Sequence, residues 1–168
     1  SAAAGRTILT GVNNYSGGTI VSAGTLLVEN PSGSGTGSGF VAVSNNGTLG
    51  GSGAISGPVW CAGTITPGQG AGALTFGGGL DLSAGGTNVW ELSGLTTLGE
   101  GVNFDQTILA AGNLVLGANA RLRVSFIGAA TAPAAAEPFW MMSHTWKVVS
   151  LTGTASNPGI TGFGSVLN

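Results

Sequence analysis

A chain of 168 residues supplies one hydrophobic core and is short for two. Only 6% of it is charged, against roughly 25% in ordinary soluble domains, and four Lys and Arg at a net charge of −2 leave no basic stripe for phosphates, so nucleic acid is not an expected partner. A single cysteine, Cys61, excludes an intrachain disulfide, one histidine beside it all but excludes a Cys/His metal site, and no apolar run reaches the ~18 residues of a membrane-spanning helix.

Glycine (33 copies) and six prolines give the bias of low-complexity sequence, yet 42% hydrophobic content argues for a folded chain. From the N-terminus, Ser1 to Ala4 reads as a natural new start after removal of a signal peptide. Short alternating segments bounded by Gly, Asn, Ser or Pro follow at Thr7–Leu9, Thr19–Val21, Leu26–Val28, Phe40–Val43, Val59–Cys61 and Leu80–Leu82. They continue at Asn88–Leu92, Gln106–Leu109, Leu114–Leu116, Leu122–Phe126 and Val148–Leu151. Helical periodicity is missing; the one Ala-rich run, Ala129 to Ala136, contains Pro133.

One phrase recurs. Val21-Ser22-Ala23-Gly24-Thr25-Leu26 is answered by Val43 to Leu49, by Cys61-Ala62-Gly63-Thr64-Ile65, and more loosely by Leu82 to Thr87. The equivalent threonines, Thr25, Thr48, Thr64 and Thr87, stand 23, 16 and 23 residues apart, the spacing of one turn of a parallel β-helix in which each turn lies ~4.8 Å from the last. Glycine is expected at these corners for a positive φ or for close approach of the next turn.

Alternation points Val21, Leu26, Val28, Val41, Val43, Val59, Leu80, Leu82, Leu114, Leu116, Leu122, Val124 and Phe126 inward as stacked columns. It points Leu27, Glu29, Asp81, Arg121 and Arg123 outward, puts Cys61 in an aliphatic slot and leaves Trp60 outside. Pro31 to Gly39 reads as a flexible excursion within or beside a turn. The reading is a single all-β solenoid domain over 1–168, with regular short repeats to about 79, then longer strands and an aromatic-rich end over 80–168.

The segment Asn13-Asn14-Tyr15-Ser16-Gly17-Gly18-Thr19 followed by Ala23-Gly24-Thr25-Leu26 resembles the autotransporter-associated β-strand repeat of bacterial passenger regions. Gly47 to Gly53 and Gly63 to Gly68 look like the less specific segments that follow such a repeat. The stretches Trp90-Glu91-Leu92, Phe104-Asp105-Gln106 and Pro138-Phe139-Trp140 up to Lys147 are similar to carboxy-terminal passenger portions, including those of the PEP-CTERM-sorted kind. The resemblance implies a single-stranded right-handed parallel β-helix, exported and secreted or held at the bacterial surface; it does not imply an enzyme. The chain departs from the full pattern in having neither a translocating barrel nor an anchor helix, and its ending at Gly164 to Asn168 reads as that of a processed or partial piece.

Catalytic and cofactor-binding constellations are not found. Asp81, Asp105, Glu29, Glu91, Glu100 and Glu137 are scattered, whereas a polysaccharide lyase or hydrolase needs converging acids. Asp105 is expected to cap the turn before Gln106–Leu109. Ser143 and His144 are adjacent, so on a strand they point to opposite faces and make no dyad. The remaining candidates are aromatic. Trp60, Phe139, Trp140 and Trp146 are expected to form an interface patch, to close one end of the coil, or to act as sugar-stacking platforms. The functional expectation is therefore an extracellular structural module: a stalk, adhesin segment or self-assembling subunit, homo-oligomeric or filamentous through its ends or flanks. A carbohydrate-binding module that contacts surface polysaccharide is the alternative.

Overall fold

β-Branched and aliphatic residues at every second position, broken by glycine corners, leave this chain little choice but short strands. The computed structural model describes residues 5–167, so Ser1 to Ala4 and Asn168 lie outside the described residues. In chain order the strands are β1 (Arg6–Leu9), β2 (Thr19–Val28), β3 (Val41–Gly51), β4 (Ala54–Ile55), β5 (Val59–Cys61), β6 (Thr64–Pro67) and β7 (Ala73–Phe76). They continue with β8 (Leu80–Asp81), β9 (Thr87–Leu92), β10 (Gln106–Leu109), β11 (Leu114–Val115), β12 (Arg121–Phe126), β13 (Val149–Leu151) and β14 (Ser165–Leu167). The helical content among the described residues is one short 3₁₀ turn, Pro138–Met141. The longest strands, β2 and β3, fall in the first half of the chain rather than the second.

All strand pairs are parallel, and their registers sort the strands onto three faces visited in rotation. The first face stacks the front of β2, the front of β3, β5, β8 and β11, with Val41 aligned on Val59, then Leu80, then Leu114. The second stacks β1, the back halves of β2 and β3, β6, β9, β12 and β14. The third stacks β4, β7, β10 and β13. On the second face one column runs in register through Arg6, Thr25, Thr48, Thr64, Thr87, Arg121 and Ser165. The threonines matched by their surrounding phrase are thus matched in space. All-β content and parallel, curled sheets are the observed class.

The phrase glycine sits beside each threonine, and its reason differs along the column. Gly24 has φ +79 and a Cβ there would also lie 2.3 Å from the Gly5 carbonyl oxygen, whereas the other three have no positive φ and are held small by the adjacent pass alone. A Cβ on Gly47 would lie 2.3 Å from the Val21 carbonyl oxygen, and one on Gly63 would lie 2.3 Å from those of Gly47 and Ser44.

The inward columns are as alternation places them for Val21, Leu26, Val28, Val41, Val43, Val59, Leu80, Leu82, Leu114 and Leu116, all buried in one core with Cys61, Leu49, Ile65, Leu74 and Phe76. Leu27, read as facing outward, lies outside that core yet is only 4% exposed: it leans across Gly50, whose missing side chain leaves the space, with Leu27 Cδ2 only 3.1 Å from where a Cβ would stand. Leu122, Val124 and Phe126 do not join the aliphatic core either. They are half-buried against a second cluster of Trp90, Leu92, Phe104 and Ala130, with Trp140, Trp146 and Val148.

That second cluster has a topological origin. The second-face column spaces its residues by 19, 23, 16 and 23 positions from Arg6 to Thr87, then by 34 to Arg121 and 44 to Ser165. The surplus chain lies at one corner, between the second and third faces, as Ser93 to Phe104 in one pass and Ile127 to Lys147 in the next. The two excursions lean on each other: Ala129 N–H donates to Ser93 O at 3.0 Å, and the Trp146 indole N–H donates to Thr96 O at 2.9 Å. Pro31 to Gly39, expected as a flexible excursion, is instead built into the wall. Gly35 N–H donates to Ala54 O at 2.9 Å, Asn13 N–H donates to Ser34 O at 2.8 Å, and Ser34 and Thr36 are buried.

Candidate binding surfaces

The four aromatic candidates separate into two places. Trp60 stands alone on the outer side of the first face, 50% exposed, because the alternation that buries Val59 and Cys61 turns it out. Its ring leans on Phe40, with centroids 5.6 Å apart and planes tilted by 41°. In register beside it are Ala42 on one neighbouring strand and Asp81 on the other. Asp81 Oδ1 accepts the Ser83 N–H at 2.8 Å.

Phe139, Trp140 and Trp146 are brought together on the second excursion. Phe139 and Trp140 meet edge to face at 5.0 Å, and Trp140 lies 6.1 Å from Trp146, which in turn is 5.6 Å from Trp90. His144 stacks flat on Phe139 at 3.8 Å, and its Nε2 donates to the Phe139 carbonyl at 2.6 Å. His144 is thereby a member of the aromatic stack, and no dyad with Ser143 forms. Against the inward side of β12 these rings leave an apolar recess of 340 Å³ whose mouth includes exposed Val166. At the opposite end a wider opening of 600 Å³ is lined by Thr7, Leu9, Val21 and Ile20, the last 67% exposed. There β1 covers only Thr25 to Val28 of β2, so the front of β2 is a free sheet edge among the described residues.

Asp105 does accept backbone bonds, but not as a local cap. Its Oδ1 takes the Gly72 N–H at 2.9 Å and its Oδ2 the Glu91 N–H at 3.0 Å, while its own carbonyl takes the Trp90 indole N–H at 2.9 Å. Next to it, Gln106 Nε2 donates to Lys147 O at 2.9 Å, so Asp105 and Gln106 tie three successive passes together where the first excursion rejoins the wall. Asp105 is fully buried, and that burial pushes its carboxyl up to about 8 despite the two N–H donors, with the Glu91 charge adding to the rise. Burial also raises Glu91. The Cys61 thiol is pushed up to about 12 by burial, so it is a small core hydrophobe without nucleophilic character. Among the described residues no three of His, Cys, Asp and Glu gather as a metal site would require.

Sequence reasoning missed the long-range role of Asp105 and the corner shared by the excursions. The signal for the second was the loss of the threonine phrase after Thr87, where Ala118-Asn119-Ala120-Arg121-Leu122 fills the equivalent place.

Residues 4–28 match the family model of the Passenger-associated-transport-repeat, in agreement with the resemblance read from Asn13 to Leu26. The match closes at Val28, the last residue of β2, and so takes in β1, the connection and β2. No curated protein and no solved structure matches the chain.

Proposed function

We propose that this chain is a length of right-handed, single-stranded parallel β-helix, one domain from end to end, that serves outside a bacterial cell as a rigid, non-catalytic passenger-type module. The observation that carries the reading is the in-register column from Arg6 through the four threonines to Ser165. A chain that returns to one face in parallel register on every pass stacks its passes, and parallel crossover connections are right-handed in ~98% of cases. The family match at residues 4–28 supports the passenger assignment and with it a surface or secreted location. The low charge supports a further clause, that the module abuts other coils or copies through its ends.

The test is immunolabelling of the bacterium that makes the protein. The proposal expects antibody against the folded module to decorate intact cells or their surrounding medium. Label confined to permeabilised cells overturns it.

A further inference from the structure

We propose that the outer side of the first face carries a binding site for a neutral glycan chain, centred on Trp60 and Asp81. The inference adds a ligand to the module proposed above and rests on the same strand register. Unlike the other three tryptophans, Trp60 contributes nothing to either core, and half of its surface faces solvent. Phe40 props the ring from one side, which fixes its orientation before any ligand arrives. An exposed indole buttressed by a neighbouring ring on the outer side of a sheet is a stacking platform for the C–H face of a sugar ring.

Asp81 supplies the polar half. It is the in-register neighbour of Trp60, one strand spacing of ~4.8 Å along the stack, a separation that one sugar ring bridges. Its Oδ1 is engaged by Ser83 N–H, and among the described residues Oδ2 has no partner, which leaves one charged acceptor for sugar hydroxyls. Two shallow grooves meet at this pair. One, of 330 Å³, runs past Ala42, Ser44, Ala62 and Ala84; the other, of 290 Å³, runs past Gly79, Gly112 and Asn113. Both include Trp60 and Asp81 in their walls, so a chain longer than one sugar has a track on either side of the platform. Small side chains keep the track low, and Ser44 and Asn113 offer further hydrogen-bonding groups.

Charge decides the class of glycan. Among the described residues Asp81 is the only charged residue lining either groove, so an anionic polymer meets a like charge there with no cationic side chain in either wall. The aromatic cluster around Trp140 and Trp146 is the poorer site: its rings are occupied with one another, and its recess is apolar throughout.

Electrophoresis through native gels containing a soluble β-glucan, a xylan, an α-mannan or, as the anionic comparison, polygalacturonate reads the binding directly. The proposal expects retardation by at least one neutral polymer and none by polygalacturonate. Trp60→Ala is expected to weaken that retardation about tenfold, as loss of a central aromatic anchor does, with Asp81→Asn weaker and Trp146→Phe unchanged. Matching melting curves for wild type and Trp60→Ala, which removes no core contact, separate lost binding from lost fold. Absence of retardation by all three neutral polymers, or equal losses in Trp60→Ala and Trp146→Phe, overturns the site while leaving the β-helical module standing. Sedimentation in which Trp60→Ala abolishes self-association without any glycan effect assigns the ring to a protein contact, and also overturns it.

Discussion

Replacing Gly63 by alanine should destabilise the protein because of where the next pass of chain lies. A Cβ at Gly63 would stand 2.3 Å from the carbonyl oxygens of both Gly47 and Ser44, and neither atom is the end of a side chain that can swing away. The backbone of two neighbouring passes must separate instead, which disturbs the ladder between β3 and β6 that begins at Thr48 and Thr64. Overpacking of this kind costs about 1–3 kcal/mol. Alanine returns ~0.4–1 kcal/mol by restricting the unfolded chain, so a net loss of about 1–2 kcal/mol remains. For a chain of this length that is a drop in Tm of about 2–8 °C, at ~2–4 °C per kcal/mol. Thermal unfolding followed by circular dichroism measures it, with Gly94→Ala as the control: nothing lies within 4 Å of a Cβ there, and its φ is not positive. The control is expected to be neutral or slightly stabilising. If Gly63→Ala melts no earlier than Gly94→Ala, close stacking at the phrase glycine is not what fixes the residue.

Asp105 makes stability depend on pH. Its carboxyl sits at about 8 in the folded chain against an ordinary 3.8, so between those values the folded state holds a proton that the unfolded state has released. Stability is therefore greatest at the acid side of the window and falls as pH rises toward 8, by at most ~6 kcal/mol at ~1.4 kcal/mol per unit, with the raised Glu91 adding in the same direction. Asp105→Asn should flatten this slope in a series of melting curves, while losing ~1–3 kcal/mol overall because its NH₂ must face one of two backbone donors; a slope that survives the substitution assigns it elsewhere. Cys61 should resist a thiol reagent such as 5,5′-dithiobis(2-nitrobenzoate) in the native protein at pH 8 and react fully in guanidinium; rapid native labelling contradicts its burial. Trp146→Phe keeps the ring but removes the bond to Thr96, so it should cost ~1 kcal/mol and alter the near-ultraviolet circular dichroism of the aromatic cluster; an unchanged melting curve counts against the bond between the two excursions.

The first half of this fold is written plainly in the chain because each pass repeats one phrase and the phrase has a physical job at each position. The residue before threonine must be small for the neighbouring pass, the one after points inward and is apolar at Leu26, Leu49 and Ile65 though polar at Asn88, and the register of Thr25, Thr48, Thr64 and Thr87 follows. Leu27 escaped because burial on an outer face depends on what the next strand lacks, here a side chain at Gly50, and alternation alone carries no information about a neighbour. The later passes were harder to read because excursions break the spacing. Once Ser93 to Phe104 and Ile127 to Lys147 interrupt the count, neither the partner of Arg121 nor the meeting of Trp90, Trp140 and Trp146 follows from local pattern. Asp105 shows the same limit: its residue type and turn position gave the kind of bond it makes, but its donors, Gly72 and Glu91, are 33 and 14 residues away.

Stacking of successive passes in threonine register is the claim on which all of this stands, and disulfide trapping tests it most directly. In a Cys61→Ala background, cysteines replacing Thr48 and Thr64, or Thr64 and Thr87, face outward on neighbouring parallel strands, within the ~4.4–6.8 Å Cα separation that a disulfide spans. Both pairs should oxidise readily in the folded protein, while pairing Thr48 with position 65, one residue out of register and pointing inward, should not. Efficient cross-linking of the offset pair, or none in the two aligned ones, contradicts the stack.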